Sequence, residues 1–107
     1  MTTDLHAELL KAADTAMWNR HGHRFITAVR TFVTALKRMP DAGPREYSHE
    51  QLDAIRGLAD RVAIAIDDRL EDDDDSQHVQ QELAGMVYAI RQAVEEIHLW
   101  ERHFLRA

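Results

Sequence analysis

Seven histidines in a chain of 107 residues are the first residues to ask about chemistry. His21-x-His23 puts two imidazoles close together, and neutral imidazole is a common metal ligand. Glu95-x-x-His98 and Glu46-x-x-His49 share the spacing by which a carboxylate and an imidazole point the same way from one helix, as in di-iron bundles. Helical geometry weighs against both Glu-x-x-His pairs. At about 100° per residue, Glu95 lies roughly 200° from Ile97 and faces away from the apolar stripe. Glu46 precedes the cap of its helix. His21 and His23 stay as a two-ligand pair, which is too few for a structural zinc site. The reading is no metal and no cofactor, with His21 and His23 as the only alternative.

Arg91 and His98 are seven apart, hence on one side of a helix, flanking Val94. Their Arg-x6-His spacing is loosely similar to the degenerate Arg-x4–6-His motif of the all-helical HEPN ribonucleases. The similarity covers these two residues, with Gln92 standing where that motif carries a polar residue. It implies RNA cleavage, with His98 as acid/base and Arg91 on the phosphate. The plainer reading is an ion pair at the helix rim. No Ser/His/Asp array, glycine-rich phosphate loop or P-loop is present, so the chain leans away from an enzyme.

Two charge clusters remain. Arg20, Arg24 and Arg30, with His21 and His23, form a basic group interleaved with Trp18 and Phe25. It is the one candidate for nucleic-acid contact, but its aromatics sit at core spacing and read as packing. Glu71-Asp72-Asp73-Asp74-Asp75 lacks the alternation, glycine and distal Glu of an EF-hand loop. It reads as a solvated turn before a helix start, where the dipole favours negative charge. Residues 1–45 carry a net +3 and residues 46–107 a net −9, which sum to −6. That balance disfavours general nucleic-acid binding. It suits either packing of one half on the other or a charged partner.

These side chains need helices to hold them. The longest pattern is Val79, Leu83, Met86, Ile90, Ala93, Ile97, Trp100 and Phe104, at alternating steps of four and three. It predicts one long amphipathic helix over 75–105. Ser48 with Gln51 three residues on predicts a capping box, and Tyr47 with Leu52 a hydrophobic staple, opening a helix over 48–71. Asp74 with Gln77 predicts a second box. Earlier, Leu5, Leu9, Ala12 and Ala16 are out of phase with Trp18, Gly22, Phe25, Val29, Phe32, Leu36 and Met39. Thr3 is a fair N-cap for the first series. The chain either turns near Gly22, giving helices over 3–18 and 23–39, or runs on as one helix that shifts its buried face. Pro40 to Pro44 stops it.

The expectation is therefore an all-α antiparallel bundle of three to four helices in one domain over residues 1–107. Hydrophobic residues at 45% suffice for a core, and cysteine is absent. The first residues lack a secretory h-region and no apolar run approaches a membrane span, so the expected setting is cytoplasmic, without membrane. Helix lengths leave Trp100, Phe104 and Leu105 beyond the partner helix, with Ile97 below them. That end is the expected partner surface. The middles of the last two helices are apolar on several sides, which points to a homodimer. The resulting expectation is a small acidic interaction module of regulatory, adaptor, chaperone-like or immunity type, self-associating through its long helices. The alternative is a helical enzyme or ligand-binding protein that uses His and Arg.

Overall fold

The computed structural model describes residues 5–39, 47–72 and 74–104, without the side chains of His103 and Phe104. The described residues form four helices and no strand: α1 (Leu5–Trp18), α2 (Arg24–Lys37), α3 (His49–Asp72) and α4 (Gln77–Phe104). The predicted bundle is present, and the open question of one helix or two resolves to two. The Thr3 cap, the Pro40 to Pro44 stop, Glu46 and Leu105 lie outside the described residues.

The turn after α1 is made by hydrogen bonds. The Ala16 carbonyl accepts from the Asn19 N–H at 3.1 Å, and the Asn19 carbonyl accepts from the Gly22 N–H at 2.9 Å. The Asn19 side chain donates to the Thr15 carbonyl at 2.7 Å. A Cβ on Gly22 would stand 3.7 Å from the Asn19 oxygen, an ordinary contact, so space does not demand a glycine there. The shift of apolar phase demands the turn. Folding back lets Leu9, Ala12 and Ala16 face the same core as Phe25, Val29 and Phe32.

The capping box at Ser48 is formed. Its Oγ accepts from the Gln51 N–H at 3.1 Å, while Gln51 Oε1 accepts from the Ser48 N–H at 2.9 Å. Tyr47 and Leu52 are both buried in the core, as a staple requires. The box expected at Asp74 is not the cap of α4. Ser76 caps it instead, its Oγ accepting from Val79 N–H at 3.3 Å and its carbonyl from Gln80 N–H at 2.9 Å. Ser and Asp cap about equally well, so position decides, and Ser76 stands directly before Gln77, where α4 begins.

α1 packs on α2 and α3, and α4 packs on α3 and α2. The molecule is thus two αα-hairpins laid side by side. Arg38 of the second hairpin leg meets Glu8 near the start of α1 at 2.8 Å, and Arg56 of α3 meets Glu101 near the end of α4, so each hairpin is antiparallel. Across the two hairpins, Arg20 just after α1 reaches Asp68 near the end of α3 at 2.8 Å. That contact makes α1 and α3 run the same way. The core between the hairpins is continuous, from Leu5 to Ile97.

One charged residue is buried at the turn end of this core. Arg69 is 9% exposed. Its Nε and Nη2 donate to the two Asp75 oxygens at 2.8 and 2.9 Å. Its Nη1 donates to the carbonyls of Gly22 at 2.7 Å and Arg20 at 3.3 Å, and its guanidinium carbon stands 5.3 Å from the Phe25 ring centre. A single side chain therefore ties α3 to the α1–α2 turn, to α2 and to the α3–α4 turn. The acidic run is thus more than a solvated turn, because Asp75 in it is a structural anchor.

Two substitutions test these anchors by urea unfolding. Ser48→Ala should cost about 1 kcal/mol. Arg69→Ala should cost about 3 kcal/mol, the low end for a buried pair, since Asp75 keeps some contact with water. The Arg69 hydrogen bonds hold the Asp75 carboxyl below its ordinary value of 3.8. A carboxylate with a lowered folded value adds stability above its unfolded value and loses it as pH falls through the folded one. The stability gap between the native chain and Asp75→Asn should therefore be constant from neutral pH down to about 3.8 and shrink below it.

Candidate functional site

The proposed ribonuclease pair sits on the α3-facing side of α4, as its spacing requires. Both residues are engaged by α3. Arg91 pairs with Asp67. His98 Nδ1 stands 3.1 Å from Arg56 Nη1. A guanidinium only donates, so Nδ1 takes the accepting side of this contact. Arg56 also bonds Asp53 and Glu101, and His49 Nδ1 lies 3.3 Å from Glu101. The arrangement is a rim network that fastens α3 to α4, with the Arg91 guanidinium directed at a carboxylate instead of at an open cleft. Glu95 is exposed and away from the core, as the helical geometry predicted.

His21 and His23 are both exposed, with Asp72 4.0 Å from His21 Nδ1. Among the described residues no three His, Cys, Asp or Glu side chains gather where one ion could reach them. Part of the expected end surface on α4 is taken up by the fold itself. Ile97 is 1% exposed and belongs to the core, and Trp100 is partly buried against it. The first turns of α3, through His49 and Arg56, reach as far along as Glu101, so α3 covers more of α4 than lengths suggested. The Phe104 side chain and Leu105 lie outside the described residues. Among the described residues no helix is long and apolar enough to cross a membrane.

The basic trio divides. Arg20 is bound to Asp68 at the bundle end. Arg24 and Arg30 face a groove of about 870 Å³ between α1 and α2. Ala12, Ala28 and Ala35 form its floor, and Lys11, Arg38 and a row of threonines complete its rim. Arg30 is tied to Glu82 of α4, whose carboxyl this hydrogen bond holds below its ordinary value. Arg38 is tied to Glu8. Lys11 and Arg24 have no ion-pair partner among the described residues. Hairpin formation brings Lys11 beside Arg24 and Arg38, which spacing along the chain does not reveal. A usable signal was present in α2, which contains no acidic residue from Arg24 to Lys37.

The largest departure from expectation is Trp18. Its core spacing predicts packing, yet it is 88% exposed. The turn begins directly after it, so it keeps the phase of α1, where it falls on the outer side. There it joins Ala7, Leu10, Lys11 and Asp14 around a shallow hollow. Leu10 is 43% exposed. The apolar middles of α3 and α4 are also partly open, with Ile64 and Tyr88 exposed. No protein-family model matches the chain, and neither any curated protein nor any solved structure matches it.

Trp18 and Phe25 are a matched test of this surface. Phe25 is fully buried, and Phe25→Ala should cost about 3–5 kcal/mol. Trp18→Ala should stay within about 0.5 kcal/mol of the native chain, because little contact is lost. A large loss at Trp18 in thermal or urea unfolding would place it in the core after all.

Proposed function

We propose that the chain is a small helical protein-interaction module, of regulatory, adaptor, chaperone-like or immunity type, that also associates with itself. One observation carries this reading. The core closes without Trp18 and Leu10, yet both lie open on the outer face of α1. A tryptophan left in water gives up burial worth a few kcal/mol, so a chain that keeps one outside the fold has another use for it. Tryptophan is also the side chain most enriched among interface anchors. The mechanism is burial of a helix face, with the uneven charge of the two halves choosing partner and orientation.

A second reading rests on the α1–α2 groove. Its four cations, Lys11, Arg24, Arg30 and Arg38, face one acid, Glu8. Such a groove suits an acidic ligand or segment, and in this form the alternative of a His- and Arg-based ligand or RNA enzyme is retained. Lys11 and Arg24 would carry the contact, since the other two are held by Glu8 and Glu82.

The readings separate on two variants. The immobilised native chain should retain a specific partner, or a second copy, that Trp18→Ala releases and Arg24→Ala does not. Loss with Arg24→Ala alone, with strong dependence on salt, would favour the groove. Retention of nothing by any variant, together with a strict monomer in sedimentation, would end the interaction reading.

A further inference from the structure

The outer face of α1 has a pattern that selects its own partner. Ala7, Lys11, Asp14 and Trp18 follow at steps of four, three and four, which is a two-heptad seam. All four are exposed. α1 packs on α2 and α3 through its buried residues, and the seam lies outside that core, with Lys11 also on the rim of the α1–α2 groove. Leu10 flanks it on one edge and Thr15 on the other, around one hollow. Lys11 and Asp14 have no ion-pair partner among the described residues. The Thr15 hydroxyl donates to the Lys11 carbonyl at 2.9 Å, so its methyl is what it has left to offer.

We propose that this face binds the same face of a second copy, antiparallel, about a two-fold axis between Lys11 and Asp14. The proposal rests on the interaction-module reading and names its surface and one partner. In an isologous contact residue i meets j and j meets i. With the axis at that point, Lys11 meets Asp14 of the second copy, and Asp14 meets Lys11. One step further out, Trp18 meets Ala7, and Ala7 meets Trp18. Large then opposes small at both ends, and opposite charges meet twice in the middle. The parallel alternative sets Lys11 on Lys11 and Asp14 on Asp14, so charge disfavours it. Antiparallel α1 helices also place opposite dipole ends together. Polar residues in the centre of a seam fix register at some cost in stability, so the dimer is a modest one whose arrangement is well defined.

The symmetry supplies a test that few other arrangements pass. Lys11→Asp leaves two acids on the seam, and Asp14→Lys leaves two bases. Each variant on its own should dimerise about tenfold more weakly in sedimentation equilibrium, because two attractive pairs become two repulsive ones. Mixed in equal amounts they should form a heterodimer at native strength, since each Asp of one copy then meets a Lys of the other. Trp18→Ala should weaken the native dimer about thirtyfold or more. All of these positions are exposed, and helical circular dichroism should confirm that the fold is unchanged. A chain that stays monomeric to millimolar concentration overturns the proposal. So does a dimer that ignores the single charge reversals, or a mixture that fails to reassociate. If the monomeric chain still retains another protein through Trp18, pairing of α1 falls and the interaction reading stands.

Discussion

The guanidinium of Arg69 is where the two hairpins are locked together. It makes a two-pronged bond to Asp75, closes the carbonyls of Gly22 and Arg20, and lies over Phe25. Burying a charge is expensive unless it is paired and its donors are used. Here Asp75 pairs with it, and its Nη1 satisfies main-chain acceptors of the α1–α2 turn. Among the described residues no buried side-chain polar atom lacks a partner. The consequence is geometric. The end of α3 thereby fastens the α1–α2 turn, just after the point where Trp18 emerges on the outer side of α1.

The uneven charge of the chain finds a use in the same junction. Among the described residues, both arginine ion pairs between the hairpins place the cation in the first and the anion in the second: Arg20 with Asp68 and Arg30 with Glu82. Exposed pairs of this kind add little stability singly. Their shared direction still disfavours alternatives in which the hairpins slide or reverse, because those bring like charges together. The core supplies most of the energy and is indifferent to orientation, whereas the charges are not.

What the fold leaves unused is then informative. Arg91, His98, Arg56 and Glu101 are consumed in joining α3 to α4, and Ile97 is consumed in the core. Trp18, Leu10, Lys11 and Asp14 are left over on one helix face, next to a groove whose Lys11 and Arg24 have no ion-pair partner among the described residues. Residues that a fold does not need for its own stability are free to serve binding, and here they are adjacent. The functional reading moves accordingly from the far end of the last helix to the outer side of the first.

Periodicity and cap chemistry by themselves determined the helices. Three-four spacing of Leu, Ile, Val and Phe, the Ser48–Gln51 box and the phase shift near Gly22 are all local, and local pattern needs no knowledge of the partner surface. The boundaries near 49 and 72 were legible for that reason, whereas over residues 3–39 the pattern left one helix or two open and only the fold decided for two. Tertiary structure alone decided the side on which Trp18 would lie: its spacing groups it with Phe25 and Val29, but the turn leaves it on α1, where that position faces outward. It decided that Arg69 would be buried, since one Arg among thirteen basic residues carries no local mark of its partners. It also brought Lys11 to Arg24 and Arg38, and set the start of α3 against the end of α4. Those are long-range contacts, fixed by how two hairpins bury a common core, and a linear reading of spacing contains no distance between residues on different helices.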